Sequence, residues 1–162
     1  MLFFMEYNND FVIEPASIED AVDILNIQYL AFEAESRLYD GVEIPPLAQT
    51  LEGLMADFSE YAFLRAVVDG QIVGSVKCRE TAGRVWVGRL MVHPSWQNKG
   101  IGRKLMQAVE EYNPEAVEFE LFTGNKSLKN IALYRSLGYE VRDEFLYDKQ
   151  PGVILVNMVK TV

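Results

Sequence analysis

The sequence is poor in the residues that most often carry metal and nucleophile chemistry: it has one cysteine, Cys78, and one histidine, His93. A single cysteine excludes an intrachain disulfide and fits a reducing compartment, so a cytoplasmic setting is expected. No group of His, Cys and acidic residues has metal-ligand spacing, so no metal is expected. A Ser/His/Asp relay has no pattern to build on either. Cys78 lies in a valine-rich stretch and reads as a small buried strand residue, not a nucleophile. Basic residues are also scarce: 15 Lys and Arg stand against 24 Asp and Glu, for a formal charge of −9. That balance argues against a nucleic-acid partner, because binding a phosphate backbone needs a basic face. No apolar run approaches a membrane span, so no membrane partner is expected. The opening, Met1 to Met5, is apolar but short and has no basic residue. It reads as an ordered or frayed terminus and not as a signal peptide.

What is present is ordinary for a globular chain: 162 residues, 49% hydrophobic and 24% charged. One domain over residues 1–162, with a real core, is expected. Its charge is unevenly spread. Residues 1–64 hold 13 acidic residues and one basic residue, Arg37, a balance of −12. Residues 84–104 hold five basic residues (Arg84, Arg89, Lys99, Arg103, Lys104) and no acidic one. A basic island in an acidic chain suits an anionic ligand, and the acidic third could draw in a cation.

Periodicity predicts the element order β-α-α-β-β-β-α-β-α-β-β. Phe11–Glu14 is a short strand closed by Pro15. Ser17 and Asp20 form a capping-box-like start to a helix reaching about Ala34, with Ile18, Ala21, Val22, Leu25, Tyr29 and Phe32 at helical spacing. After a loop with Gly41 and Pro45-Pro46, one second helix carries Leu47, Leu51, Leu54, Met55 and Phe58. Strands at 62–68 and 72–78 are joined by Asp69-Gly70, a dipeptide suited to a type I′ turn. A third strand, 84–92, completes a meander. A helix from Ile101 to Tyr112 and a strand at 116–122 follow as a parallel crossover. Ser127 starts a helix that Gly138 ends as a left-handed cap. Strands at 139–147 and 153–159 close the chain.

The chain is organised around Gln97-Asn98-Lys99-Gly100-Ile101-Gly102, between a strand and a helix. Two glycines let the backbone turn tightly and a ligand approach. A helix starting there aims unpaired N–H groups and the positive end of its dipole at one spot, an anion site suited to phosphate. Lys99, Arg103 and Lys104 add charge. The spacing is not a dinucleotide fingerprint, since Leu105 stands where a third glycine belongs, nor a P-loop. A second stretch, Asn125 to Tyr139, places Asn130 and Tyr134 one turn apart on one helix face.

Together these stretches resemble the GNAT acetyltransferase superfamily. The first matches its Q/R-x-x-G-x-G/A signature after Leu90-Met91-Val92-His93-Pro94. The second matches N-x-x-A-x-x-Y-x-x-x-G-Y. The resemblance implies an α/β (α+β) three-layer fold. A central mixed twisted sheet of about seven strands would be flanked by four helices and splayed between its fourth and fifth strands. It implies acetyl-coenzyme A as cosubstrate. Its pantetheine arm would meet the backbone near Leu90, Met91 and Val92, and its pyrophosphate the amides of Gln97, Asn98, Lys99, Gly100, Ile101 and Gly102. Arg103 and Lys104 would lie near the adenosine phosphates, Asn130 on the arm, and Tyr134 by the sulfur as general acid. The reaction implied is direct attack by a primary amine of a small molecule or peptide, with no acyl-enzyme. A non-catalytic coenzyme A-binding module remains the alternative. The acidic residues 1–64 would border the acceptor side and favour a cationic amine. A homodimer is expected on the same grounds. The general base is open among Glu33, Glu35, Asp40, Glu118, Glu120 and a water relay. His93 reads as a loop residue, and Arg89 as pairing with an acidic neighbour or touching the acceptor.

Overall fold

A computed structural model describes residues 5–7, as backbone, and residues 11–162. Most of the apolar opening stretch, Met1–Phe4, lies outside the described residues. Eight strands form one sheet in the order β1-β2-β3-β4-β5-β6-β8-β7. The strands are β1 (Met5–Tyr7), β2 (Phe11–Pro15), β3 (Ala62–Val68), β4 (Gln71–Thr81), β5 (Arg84–Val92), β6 (Glu118–Gly124), β7 (Glu140–Leu146) and β8 (Ile154–Thr161). The helices are α1 (Ala21–Arg37), α2 (Pro45–Ala48), α3 (Leu51–Asp57), α4 (Ile101–Tyr112) and α5 (Leu128–Ser136). All strand pairs are antiparallel except β5 with β6. The sheet thus has one strand more than the expected seven, β1, which pairs with β2 through Met5↔Ile13.

The helices cover both faces. Ile101, Leu105, Met106 and Val109 of α4 join Val76, Val85, Val87 and Phe119 of the sheet in one buried cluster, with Tyr134 of α5. Ile24 and Leu25 of α1 join Leu54, Phe63 and Met91 in a second cluster on the other face. The result is three layers, with the sheet in the middle.

Local signals account for most junctions. Asp69 and Gly70 both have positive φ, 48° and 77°, as a type I′ turn requires. Asp20 accepts from the Ser17 amide at 2.9 Å, as the capping pattern anticipates. Gly138 has φ 99° after α5. The expected single second helix is two. Gln49 is extended at ψ 135°, and Thr50 then starts α3 afresh, its hydroxyl accepting from the Gly53 amide at 3.1 Å. A helix as short as α3 has little stability of its own. It is held by that cap and by Leu54, which is fully buried, a burial worth roughly 1.5–3 kcal/mol. At the α2–α3 break Gln49 donates to Asp57 at 2.8 Å, and Asp57 in turn accepts from Lys77 of β4.

Candidate active site

The parallel pairing of β5 and β6 is short. Arg84, Val85 and Trp86 stand beside Glu118, Phe119 and Glu120, and the ladder ends there although both strands continue. The cause lies on the other edge of β5. Ser75 pairs with Met91 but Lys77 pairs with Gly88, so Arg89 and Leu90 together stand opposite Val76. This is a β-bulge, and Arg89 takes φ 53°, a left-handed conformation that costs a residue with a side chain about 1–2 kcal/mol. The bulge reverses the alternation. Val85 and Val87 face the α4 side, and after the bulge Leu90 and Val92 do so, while Met91 faces α1. Arg89 is the residue at which the strand changes face.

Between the diverging strands lies a cavity of about 350 Å³. Trp86, Arg89 and Leu90 of β5, Leu121 and Phe122 of β6, and Asn130 and Tyr134 of α5 contribute to its walls. Glycine is needed twice around it. A Cβ on Gly88 would stand 2.2 Å from the Trp86 ring, and a Cβ on Gly124 1.8 Å from the Tyr39 hydroxyl. Tyr39 is buried, accepts from the Lys126 amide at 3.1 Å, and so docks the end of α1 across the tip of β6.

The predicted residues fall into two groups. Leu90, Asn130 and Tyr134 line the cavity. Met91 is buried in the second core cluster, so only its backbone is available to a ligand. The loop 97–102 lies at the start of α4. Asn98 and Gly100 both have positive φ, 62° and 83°. Lys104 is the first α4 amide to pair, with Gly100 O at 3.1 Å, which leaves the Ile101, Gly102 and Arg103 amides without an acceptor in the helix. A Cβ on Gly102 would meet Leu133, Val92 and Leu90 only at ordinary contact distances. The fold itself therefore does not demand glycine at 102. Gln97 Nε2 donates to Val92 O at 3.2 Å, tying the loop to the strand end. Arg103 donates to Ser136 Oγ at 2.8 Å, and Lys99 stands over the Trp96 ring at 5.7 Å. Lys129, not anticipated from the sequence, donates to Asn98 Oδ1 at 2.6 Å and adds a cation beside the loop. His93 Nδ1 accepts from the Ser95 amide at 3.0 Å, a capping role in keeping with a loop residue.

Tyr134 is buried, and that burial, with Glu35 nearby, pushes its phenol well above the usual tyrosine range. It is protonated at neutral pH. Asn130 donates to Glu35 Oε1 at 3.2 Å, and Ser127 donates to both Glu35 oxygens. Glu35 thus joins the end of α1 to the start of α5 across the cavity. Among the candidates for a base, Glu35 alone lines the cavity. Glu33 pairs with Arg37, and Glu118 and Glu120 pair with Arg142. Asp40 is exposed on its loop.

The acidic wall expected from residues 1–64 is not what faces the cavity. Glu14 and Asp20 pair with Arg65, Asp57 with Lys77, and Glu60 with Arg79. The charged lining is Glu35, Lys77 and Arg89. Lys77 is not anticipated from the sequence, where its one signal is a lone lysine inside an apolar strand. Its side chain is 7% exposed, its Nζ lies 3.0 Å from Asp57 and 4.2 Å from the Tyr61 ring centroid. Burial pulls its ammonium below the usual lysine value against the pull of Asp57. Arg89 does not pair with a carboxylate: among the described residues none forms an ion pair with it, and its Nε is buried without a partner. Cys78 is buried on β4 and its thiol is pushed up by that burial, as suits a structural residue.

A family model described as "Acetyltransferase (GNAT) domain" matches residues 59–141. The chain is 28% identical over 120 residues to the UPF0157 protein YqkA of Bacillus subtilis, covering 74% of this chain and 34% of that protein. It therefore spans about a third of the length of that relative. It is 27% identical over 117 residues to an aminoglycoside N(6')-acetyltransferase type 1 of Stenotrophomonas maltophilia, covering 65% of this chain and 76% of that one. Its fold is similar to that of the PaiA N-acetyltransferase of Thermoplasma acidophilum, solved in complex with coenzyme A. The TM-score is 0.73 at 20% identity, over 94% of this chain and 99% of that one.

Proposed function

We propose that this chain, which belongs to the GNAT acetyltransferase family, acts as a single N-acetyltransferase domain that moves the acetyl group of acetyl-coenzyme A to a primary amine of a small molecule or peptide. The observation that carries this reading is the cavity at the parting of β5 and β6, lined by Leu90, Asn130 and Tyr134. The α4 amides of Ile101, Gly102 and Arg103, which have no acceptor in the helix, follow the end of β5.

The residues suit the cosubstrate. The α4 amides of Ile101, Gly102 and Arg103 offer donors to a pyrophosphate, and the absence of a side chain at Gly100 and Gly102 leaves room for it. Lys99, Arg103, Lys104 and Lys129 add cationic flanks for the remaining phosphate charge. The backbone of Leu90, Met91 and Val92 runs along the side of β5 that β6 has left, where an amide-bearing arm can take the place of a strand. Bound there, acetyl-coenzyme A supplies an activated thioester. Amides at the bulge can donate to its carbonyl oxygen as charge develops. Tyr134, protonated and beside the arm, holds the proton that the departing thiolate needs. Asn130 keeps α5 in place through Glu35 and has a further N–H for the arm. Bringing amine and thioester together in one walled cavity accounts for much of the acceleration.

Thiol release with acetyl-coenzyme A and a panel of amines, amino acids and peptides tests this directly. Acceptor-dependent release is the expected result. Tight coenzyme A binding with no release across the panel would leave only a binding module.

A further inference from the structure

The acceptor end of the cavity is cationic, although the chain as a whole carries −9. Lys77 and Arg89 line it against a single carboxylate, Glu35. Glu35 is already engaged by Ser127 and Asn130 on the α5 side. Asp57 does not line the cavity; it serves Lys77 from behind the wall and accepts from Gln49 Nε2 at 2.8 Å as well, both through Oδ2. The guanidinium of Arg89 lies within electrostatic reach of Asp57, Tyr147 and Tyr61, and of Lys77, whose charge it opposes.

Arg89 is therefore a largely desolvated fork of donors, aimed at a cavity, with a buried Nε that has no acceptor. Such a group is costly as it stands, and a planar oxyanion that takes two of its N–H groups recovers that cost. A lysine of the same sign close by adds to the attraction for an anion and to the penalty against a cation. The remaining wall is apolar and aromatic. Trp86 packs edge-on against Phe122 with ring centroids 6.5 Å apart, and Leu155 and Val153 continue the surface.

Resting on the acetyl-transfer reading above, we propose that the acceptor is a small amino-carboxylate. Its carboxylate is held by Arg89 with Lys77 beside it, and its apolar body lies against Trp86 and Phe122. The primary amine then points toward the Tyr134 side of the cavity. Arg89 is in this reading the residue that selects the acceptor, and its left-handed backbone at the bulge is what turns the side chain to the α1 face.

The test compares matched probes: L-phenylalanine, L-leucine and L-methionine, each beside its amide and its decarboxylated amine. Acetyl-coenzyme A-dependent thiol release is measured for wild type, R89Q and R89K. Calorimetric titration of the same probes into the coenzyme A complex gives a readout independent of turnover. At least one series should favour the free carboxylate by roughly 10- to 100-fold in kcat/KM or in affinity. R89Q should erase that preference while coenzyme A affinity is kept, and R89K should retain part of it. Should R89Q fail to fold, the wild-type comparison alone decides. Amides or plain amines that serve as well as the acids in every series overturn the proposal and leave the acetyltransferase reading standing. Failure to bind coenzyme A at all overturns both.

Discussion

At the scale of single residues, the site works through groups whose surroundings set their chemistry. Tyr134 is kept protonated by burial, so the proton-donor role proposed for it does not depend on pH near neutrality. Tyr134→Phe removes one oxygen from a buried ring and leaves the packing against Tyr139, at 6.0 Å between centroids, in place. We expect kcat to fall by roughly 10²- to 10⁴-fold with coenzyme A affinity unchanged, as for loss of a general acid. Steady-state kinetics beside a cofactor titration checks both halves. Lys77 tells a similar story about pairing. Its charge is tolerated in the sheet because Asp57 meets it, so Asp57→Asn leaves an uncompensated buried ammonium. A loss of up to about 3 kcal/mol in urea unfolding is expected, toward the low end of such cases because Asp57 is itself partly exposed.

At the scale of elements, the start of α4 separates what the fold needs from what the ligand needs. Gly100 has φ 83°, so Gly100→Ala should cost stability of about 1 kcal/mol or more. Gly102 lies inside the first turn, where a Cβ would meet its neighbours only at ordinary contact distances. Gly102→Ala should therefore raise or preserve the melting temperature, because alanine favours the helix by roughly 0.5–1 kcal/mol. The same methyl crowds the place where phosphate would meet the amides, so coenzyme A affinity should drop. Thermal melts and cofactor titrations on the two variants separate these effects. An unaltered affinity in Gly102→Ala would contradict the assignment of the loop. The bulge in β5 is the other decisive element, since one extra residue opposite Val76 both ends the parallel ladder and turns Arg89 to the cavity.

At the scale of the whole molecule, two buried tyrosines make stability sensitive to alkali. Burial pushes both Tyr134 and Tyr139 upward, with Glu35 and Glu110 respectively adding to the shift. Below a tyrosine's usual pKa of about 10, folded and unfolded chains both hold these protons. Above it the unfolded chain releases them and the folded chain does not, so folding stability falls as pH rises past about 10. Denaturant midpoints measured from pH 8 upward should decline, and more shallowly in Tyr139→Phe. Tyr139 is the cleaner probe because its hydroxyl is buried without a hydrogen-bond partner. A midpoint that is flat through this range in the parent chain would contradict the burial of both phenols.

The amino-acid sequence by itself determined the order of elements apart from β1 and the break between α2 and α3, the turns at Asp69-Gly70 and Gly138, and the glycine-started helix with its cationic flank. Those features rest on φ/ψ sterics and on side-chain period, which act over a few residues. It also placed Asn130 and Tyr134 on one helix face, because helical geometry alone puts i and i+4 together. The tertiary structure decided the rest. Acidity counted along residues 1–64 suggested a wall for cations, but most of those carboxylates meet Arg65, Lys77 and Arg79 of the sheet or face solvent. Whether a charge faces a cavity depends on partners 19 to 51 positions away, a distance over which sequence spacing carries no information. The face taken by Arg89 likewise depends on a one-residue mismatch between two strands. That mismatch, created only when β4 and β5 pair, leaves a desolvated cation in the wall of the cavity.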